Sequence, residues 1–437
     1  MKWAWKMGNS ILFYPSYLSG EIKAPPSKSD VHRKLICAAL ANERTRVKNI
    51  GTSDDVKATV SCLQSMGAEV YFAGEDVLVT PIQKNRNKEP QLYCKESGAT
   101  FRFLLPVAAA LFEKAKFYGE GRLPKRPLEP LVQAMGQNGV CFTERSLPFE
   151  TSGVLQSGVY TIPGNVSSQY VSGLLFALPL LKGDSEIRFT TQTESSGYID
   201  MTLQTLEEFS VQIHKTKEGF LIPGGQDYIS PKETTAEGDW SGASFFLAVG
   251  ALGGPVCVSG LQENSLQPDK EVLPLLERFG AKVKRNSKGI TVQKGMLQGI
   301  TIDVAEVPDL VPALAVVAGM AKGETVLQNT ARLRLKESDR AKAIQEILQK
   351  FGVSVTVQEN SIIIEGREKF VSGGEFQNFK DHRIAMAVAI AVTATTEEAT
   401  DSTTQAFIKM EHPQVVAKSY PHFYEDYKRL GGKVEYV

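Results

Sequence analysis

One pattern recurs six times along these 437 residues, and it restricts the possible folds more than any other feature. Each copy is an amphipathic helix that stops at or near a glycine and is followed by short alternating strands. In the first copy, apolar residues at helical spacing from Val56 to Met66 precede Gly67, and a Gly74–Asp76 turn separates two alternating segments. The stops lie at positions 67, 139, 210, 280, 352 and 431, which are 72, 71, 70, 72 and 79 residues apart. The spacing predicts six repeated units, most simply grouped as two lobes of three.

A second kind of helix is predicted between these copies. It is rich in Ala, Leu and Val on nearly all sides, which is typical of a helix buried all round. Its unusual polar residues gather at the first turn, where unsatisfied N–H groups and the positive end of the helix dipole favour anions. Six such starts directed at one cleft would bind a strongly anionic ligand. The predicted starts lie near Ser29, Gly98, Ser167, Ser241, Asp309 and His382.

Composition excludes several classes of protein. Lys plus Arg and Asp plus Glu number 49 each, so no global field favours nucleic acid or a membrane surface. Five cysteines without a CxxC pair indicate reduced structural thiols. No uncharged apolar stretch reaches the roughly 18 residues of a membrane-spanning helix, and no signal segment opens the chain. We expect a cytoplasmic, monomeric protein that binds small molecules, without nucleic acid, membrane, metal or cofactor.

The clusters at the predicted helix starts supply cations and carboxylates. Any one cluster could equally be a helix cap or a solvated basic loop, but their shared position at helix starts favours a binding site. No P-loop, dinucleotide fingerprint or metal-ligand motif accompanies them. The residues alone therefore indicate a transferase or lyase that acts on phosphorylated, carboxylated substrates. The cations are Lys28, Arg33, Arg102, Arg126, Lys336, Arg340, Arg383 and Lys418, and the candidate acid/base groups are Asp309 and Glu337.

Over essentially the whole chain, these clusters resemble the 5-enolpyruvylshikimate-3-phosphate synthases in order and spacing. The resemblance implies an inside-out α/β barrel fold of two domains, each with threefold repetition. It implies one domain over 24–237, a second over 1–23 plus 238–437, and an active site in the interdomain cleft. The chain departs from the usual pattern at Pro26, Val31, Glu96 and Ala99. The matching motifs are Ser27-Lys28-Ser29 with Arg33, Arg126-Pro127, Ser167-Ser168-Gln169, Glu237-Gly238-Asp239, Lys336-Glu337-Ser338-Asp339-Arg340 and Asp381-His382-Arg383.

The resemblance also implies an activity. It is transfer of the enolpyruvyl group of phosphoenolpyruvate to the 5-hydroxyl of shikimate 3-phosphate, with release of phosphate, in the shikimate pathway to chorismate and aromatic amino acids. The reaction passes through a tetrahedral intermediate. By resemblance Asp309 accepts the hydroxyl proton, while Glu337, with Lys28, protonates and deprotonates the methylene carbon.

The same resemblance divides the remaining residues between the two substrates. The implied phosphoenolpyruvate site comprises Lys28, Gly98, Arg126, Gln169, Arg340, Arg383 and Lys418. The implied shikimate 3-phosphate site comprises Lys28, Ser29, Arg33, Ser167, Ser168, Gln169, Ser195, Tyr198, Asp309 and Lys336.

Two alternatives remain open from the sequence. The sister enolpyruvyl transferase that acts on UDP-N-acetylglucosamine shares the fold and the donor, but it usually carries a reactive cysteine in the loop corresponding to Gly119–Pro124, where this chain has none. The Lys336–Arg340 motif also favours shikimate 3-phosphate. The other alternative is a catalytically silent ligand-binding relative, against which the presence of both Asp309 and Glu337 argues.

Overall fold

The computed structural model describes residues 9–83, 88–371, 373–395 and 407–437. Helices of the two predicted kinds alternate along the described chain. The described helices, α1 to α12, are Lys28–Leu40, Asp54–Met66, Gly98–Leu111, Glu129–Gly136, Ser168–Ala177, Ser196–Glu208, Trp240–Leu252, Val272–Phe279, Val311–Gly319, Arg340–Lys350, His382–Val392 and Phe423–Arg429.

Short strands connect these helices. The described strands, β1 to β24, are Ser10–Tyr14, Gly20–Lys23, Thr45–Lys48, Glu69–Ala73, Asp76–Thr80, Gln91–Tyr93, Lys114–Tyr118, Cys141–Phe142, Phe149–Ser152, Val159–Ile162, Ser185–Phe189, His214–Lys215, Gly219–Ile222, Glu233–Thr235, Val256–Ser259, Lys282–Asn286, Gly289–Gln293, Thr301–Asp303, Glu324–Gln328, Ser354–Val357, Ser361–Glu365, Gly374–Phe376, Ile408–Glu411 and Lys433–Tyr436.

The described strands form six four-stranded sheets of one topology. In each sheet the first pair of neighbours is parallel and the next two pairs are antiparallel. None of these six sheets closes into a barrel. The predicted mixed α/β fold of repeated helix–strand units is confirmed. The strand orders are β14-β3-β5-β4, β6-β7-β9-β8, β10-β11-β13-β12, β2-β15-β17-β16, β18-β19-β21-β20 and β22-β23-β1-β24.

The chain divides into two compact units, each with its own core. The first, here called the N unit, comprises residues 26–237 and 266–268, and the described part of the second, the C unit, comprises 9–25, 238–265 and the described residues after 268. Each unit holds three of the six sheets. Strand β1 pairs with β23 and β24 near the end of the chain, at Ile11↔Met410 and Phe13↔Val434. These pairings join β1 to the C unit.

The six predicted helix stops share one backbone conformation. Positions 67, 139, 210, 280, 352 and 431 have φ angles of 109°, 93°, 62°, 104°, 78° and 104°. Glycine has no Cβ to oppose a positive φ, so it is the usual residue at such a stop, and Ser210 takes its place once. The predicted stop positions are confirmed.

The second kind of helix is buried as predicted. Every residue of α7, α9 and α11 is buried in the core of the C unit. Two predicted starts need correction. Helix α1 begins at Lys28 with Ser27 as its N-cap, so Ser29 lies inside the helix and does not cap it. Helix α9 begins at Val311, and Asp309 lies before the N-cap residue, where cations rather than helix N–H groups bind its carboxylate.

Two further observations concern the cysteines and the lengths of the apolar helices. The five cysteines, all within described ranges, are free, and Cys141 is the exposed one. No helix in the described part of the chain has the length and apolarity needed to span a bilayer.

A buried carboxyl in the N unit makes stability depend on pH. Asp30 accepts the backbone N–H of Glu237 at 3.0 Å and lies 4.0 Å from the Lys34 ammonium. Burial raises the pKa of Asp30 to about 6, although the charge of Lys34 opposes the rise. Since the pKa in the folded state exceeds the value of ~3.9 expected in the unfolded chain, its stabilising contribution is present at low pH and is lost as pH rises through 6.

We therefore expect the Asp30→Asn variant to gain stability relative to wild type as pH rises. Between pH 4.5 and 7.5 the difference in free energy of unfolding should move in favour of the variant by about 2 kcal/mol, measured by urea unfolding. The exposed Asp227, replaced by Asn, is the matched control and should show no such pH dependence. A difference for Asp30→Asn that is constant with pH would contradict this account.

Candidate functional site

Arg340 is the centre of a buried charge cluster in the C unit. It opens helix α10, and its side chain is 1% exposed. Its guanidinium donates to Asp309 Oδ1, Glu337 Oε2 and Asp381 Oδ2, each at 2.8 Å. Burial alone would lower the pKa of Arg340, but the neighbouring carboxylates outweigh burial and raise it. One guanidinium therefore positions both predicted acid/base groups, Asp309 and Glu337.

Asp309 receives further cations from two other elements of the C unit. Lys336 Nζ lies 3.3 Å from Oδ1, and Arg383 Nη2 at the start of α11 lies 3.2 Å from Oδ2. Burial would raise the pKa of Asp309, but the charges of Arg383, Lys336 and Arg340 outweigh burial and hold it well below the usual value. Asp309 is therefore an ionised carboxylate at neutral pH and accepts hydrogen bonds from several donors.

One residue of the cluster, Asp381, was underestimated from sequence. Asp381 was noticed only as part of a motif, yet it is fully buried, accepts from Ser338 Oγ at 3.0 Å and caps α11 through the N–H of Arg383. Lys418 donates to the carbonyl of Lys380, immediately before Asp381, at 3.0 Å. The start of α11 thus brings together Asp381, Arg383 and Lys418.

Lys336 is expected to impose an upper pH limit on binding. Burial lowers its pKa to about 8, with the nearby charge of Asp309 opposing this shift. Below pH 8 the ammonium can bind an anion, and above pH 8 the neutral amine cannot. We expect kcat/KM for the anionic substrate predicted to bind at Lys336, a parameter that reports the free protein, to fall above about pH 8.

The Lys336→Arg variant is the matched test of this limit. A guanidinium stays charged at every pH used, so the fall in kcat/KM should move above pH 9. A pH profile for the variant that matches wild type, or a wild type without a fall near pH 8, would contradict the assignment.

In the N unit, Gly98 lies between two guanidinium groups. It is the first residue of α3, with Ser97 as N-cap. A Cβ at this position would lie 2.7 Å from Nη1 of Arg126 and 3.0 Å from Nη1 of Arg102. Both cations approach the helix start because glycine leaves that space open. This places Gly98 and Arg126, predicted to bind the same substrate, side by side.

Arg102 joins this helix start to α5. It donates to Gln169 Oε1 at 2.8 Å and to the carbonyl of Pro127 at 3.1 Å, and its guanidinium lies 5.5 Å from the ring centre of Tyr170. The hydroxyl of Tyr170 donates to the same carbonyl. The cation–π contact and the shared acceptor fix the plane of the guanidinium, and with it the position of Gln169.

The two cations of helix α1, Lys28 and Arg33, bind residues of two different helices. Lys28 pairs with Asp55 on α2 at 2.9 Å. Arg33 donates through Nε to Thr202 at 2.9 Å and through Nη2 to the carbonyl of Tyr198 at 2.7 Å, both on α6. Burial lowers the pKa of Arg33 to about 10, so the guanidinium remains charged at neutral pH.

The remaining predicted residues lie at helix starts in the same unit. Ser167 is the N-cap of α5 and accepts the N–H of Gln169 at 3.3 Å, and Ser168 is the first, buried residue of that helix. Ser195 is the N-cap of α6 with a φ of 58°, one turn before Tyr198, whose carbonyl binds Arg33. Ser29 offers its carbonyl to Arg33 Nη1 at 2.5 Å.

Sequence analysis missed the residues that position the cations. Neither Asp55 nor Tyr170 was among the residues predicted from the sequence to belong to the site. Thr202 carried a weak signal, since it lies four residues after Tyr198 and therefore on the same face of α6. Contacts between different helices, which identify these residues, are visible only in the folded structure.

Comparison with known proteins identifies the family of the chain. A family model described as EPSP synthase (3-phosphoshikimate 1-carboxyvinyltransferase) matches residues 14–427. The chain is 40% identical over 424 residues to a 3-phosphoshikimate 1-carboxyvinyltransferase of Clostridium kluyveri, covering 96% of this chain and 97% of that protein. It is 39% identical over 440 residues to the protein of the same name from Clostridioides difficile, with 98% of each covered. The solved EPSP synthase of Acinetobacter baumannii shares the fold with a TM-score of 0.79 at 26% identity, over 98% of this chain and 99% of that one.

Proposed function

The chain belongs to the EPSP synthase family, and we propose that the cation-rich clusters described above bind the substrates of the reaction of that family. The protein transfers the enolpyruvyl group of phosphoenolpyruvate to shikimate 3-phosphate and releases phosphate. The observation that supports the assignment of the residues is the bonding of Asp309 and Glu337 to one buried guanidinium, that of Arg340. The comparisons do not favour the sister transferase that acts on UDP-N-acetylglucosamine.

Asp309 acts as the base toward the 5-hydroxyl in this proposal. Its depressed pKa makes it a weak base while Lys336 and Arg383 are bonded to it. When those cations bind the anionic groups of the substrates, they share their charge with the ligand and stabilise the Asp309 carboxylate less. The pKa of Asp309 then rises toward the range in which a carboxylate removes a proton effectively. Binding of the anionic substrates thereby activates the base.

Glu337 exchanges the proton at the methylene carbon, with Lys28 as a second group. Addition of an alcohol to an enol phosphate needs an acid at the methylene carbon and a base at the hydroxyl. Elimination of phosphate, which leaves the enol ether, needs the reverse proton transfer at that carbon. Arg340 donates to both Asp309 and Glu337, so the two carboxylates keep a fixed separation. Fixed cations around them stabilise charge that develops in the tetrahedral intermediate.

The anionic groups of the substrates are assigned to the helix starts. The residues assigned to phosphoenolpyruvate are Lys28, Gly98, Arg126, Gln169, Arg340, Arg383 and Lys418. The residues assigned to shikimate 3-phosphate are Lys28, Ser29, Arg33, Ser167, Ser168, Gln169, Ser195, Tyr198, Asp309 and Lys336. Helix N-termini, serine hydroxyls and bidentate guanidinium groups are ordinary partners of phosphate and carboxylate, which supports the division.

We also propose that the protein acts as a cytoplasmic monomer and binds no nucleic acid. Its 49 cationic and 49 acidic side chains leave no net charge for long-range attraction of a polyanion. Sedimentation velocity, with and without a DNA duplex at low salt, would show a single species of 47.8 kDa in both cases if the proposal is right.

The choice of acceptor provides the experimental test of the proposed function. Phosphate release from phosphoenolpyruvate should require shikimate 3-phosphate and should not occur with UDP-N-acetylglucosamine. Release with the nucleotide sugar instead would assign the sister reaction. Binding of both substrates without phosphate release would identify a silent relative.

A further inference from the structure

A chain of buried hydrogen bonds links three helices of the N unit close to the proposed site. Its members, His32, Thr59, Thr100 and Ser97, are all 0% exposed. His32 Nδ1 lies 2.7 Å from Thr59 Oγ1, Thr59 Oγ1 lies 2.7 Å from Thr100 Oγ1, and Thr100 Oγ1 lies 2.7 Å from Ser97 Oγ. The two hydroxyl separations are of ordinary length for O–H···O hydrogen bonds, and burial strengthens such bonds.

The directions of the bonds follow from the number of protons. Thr100 has one hydroxyl proton, which it donates to Ser97 Oγ or to the carbonyl of Asp55 at 3.3 Å. Thr59 then donates to Thr100, and we assign His32 as the Nδ1–H tautomer that donates to Thr59. Burial, followed by the charges of Lys28 and Arg33, lowers the pKa of His32 well below its usual value. This chain of hydrogen-bonded side chains is therefore uncharged at physiological pH.

Each member of this hydrogen-bonded chain lies close in sequence to a residue assigned to substrate binding or to a partner of such a residue. His32 is one helical turn after Lys28 on α1. Thr59 is one turn after Asp55, the residue that pairs with Lys28 at 2.9 Å. Ser97 and Thr100 stand on either side of Gly98 in sequence, and Ser97 also accepts the N–H of Thr100 at 3.2 Å.

We propose that the Ser97–Thr100–Thr59–His32 chain positions Gly98 and Lys28 relative to each other for binding phosphoenolpyruvate. This inference rests on the proposed function and names positioning residues, which need not touch the substrate. A buried hydroxyl that loses its partner costs about 1–3 kcal/mol, so the helices shift to satisfy it when one member is removed. The shift would separate a cation on α1 from the anion-binding start of α3.

Thr100 offers the sharpest test because it has two informative substitutions. Thr100→Val keeps the shape of the side chain and removes the hydroxyl, whereas Thr100→Ser keeps the hydroxyl. We expect Thr100→Val to raise KM for phosphoenolpyruvate about tenfold, while kcat and KM for shikimate 3-phosphate stay within about twofold. Thr100→Ser should restore KM to near the wild-type value.

Thr45→Val is the matched control for lost stability. Thr45, the first residue of strand β3, is also fully buried in the N unit and forms a 2.7 Å hydroxyl pair with Ser230, and neither residue is assigned to a substrate. The Thr45→Val variant should lose about as much thermal stability as Thr100→Val does, without a change in KM for either substrate. If Thr45→Val raises KM for phosphoenolpyruvate as much as Thr100→Val does, or if Thr100→Val leaves that KM unchanged, the proposal is wrong.

Calorimetric titration of phosphoenolpyruvate separates this inference from the proposed function. A wild type that binds phosphoenolpyruvate but releases no phosphate would refute the proposed reaction, and a tenfold weaker affinity of Thr100→Val would still support the network. Turnover by wild type with equal affinities in both proteins would refute the network alone. A wild type that neither reacts nor binds would refute both.

Discussion

The Asp309→Asn variant should lose 10³- to 10⁴-fold in kcat, the upper range for removal of a general base. Asparagine is nearly isosteric, but its amide cannot accept the proton of the 5-hydroxyl. It also removes the negative charge that Lys336, Arg340 and Arg383 now share. Those cations become more available to an anionic ligand, so KM for phosphoenolpyruvate should stay constant or fall.

This combination distinguishes a base from a residue that only holds the fold. The matched control is Asp303→Asn, which changes an exposed carboxylate of the same unit and should leave kcat within about twofold. Steady-state phosphate release, with circular dichroism to check folding, measures both variants. A well-folded Asp309→Asn protein with near-normal kcat would show that another group accepts the proton.

The Gly98→Ala variant should raise KM for phosphoenolpyruvate tenfold or more and leave KM for shikimate 3-phosphate within about threefold. The added Cβ would lie 2.7 Å from Nη1 of Arg126, closer than real Cβ contacts come, and 3.1 Å from Cζ of the same residue, which is a tight contact. Relief requires the guanidinium of Arg126 to move, and overpacking of this kind costs about 1–3 kcal/mol. If that cost is taken from the binding free energy of one substrate, every 1.4 kcal/mol lowers its affinity tenfold.

Gly136→Ala provides the control for this substitution. Gly136 ends helix α4, and a Cβ there would have no atom within 4 Å. That variant should bind both substrates as wild type does, measured by initial rates over a matrix of substrate concentrations. Equal increases of both KM values in Gly98→Ala would mean that the two substrates are not divided as proposed.

Much of the fold could be predicted from sequence because the residues that start and stop its helices act locally. The stops at Gly67, Gly280 and Gly431 depend on a positive φ that glycine adopts without strain, so each is visible in a few residues. Lys28, Gly98 and Arg383 lie in the first turn of a helix, so their shared position was visible in the sequence. The fully buried helices were evident from composition alone.

The rest depended on contacts between segments distant in sequence. Strand β1 pairs with strands near residue 410 and near residue 434, and nothing in Ser10–Tyr14 indicates those partners. The partners of the cations, such as Asp55 for Lys28, are set by how helices pack. Arg340 was expected as a ligand for substrate, but that it is buried against Asp309, Glu337 and Asp381 could not be inferred from the order of residues.

The identity of the product tests the central claim most directly. Purified protein would be incubated with phosphoenolpyruvate and shikimate 3-phosphate, and the phosphate released would be counted against the mass of the organic product. We predict one phosphate for each enolpyruvyl ether formed, and no phosphate when either substrate is omitted. Phosphate released from phosphoenolpyruvate alone, or a product without the added enolpyruvyl mass, would contradict the account.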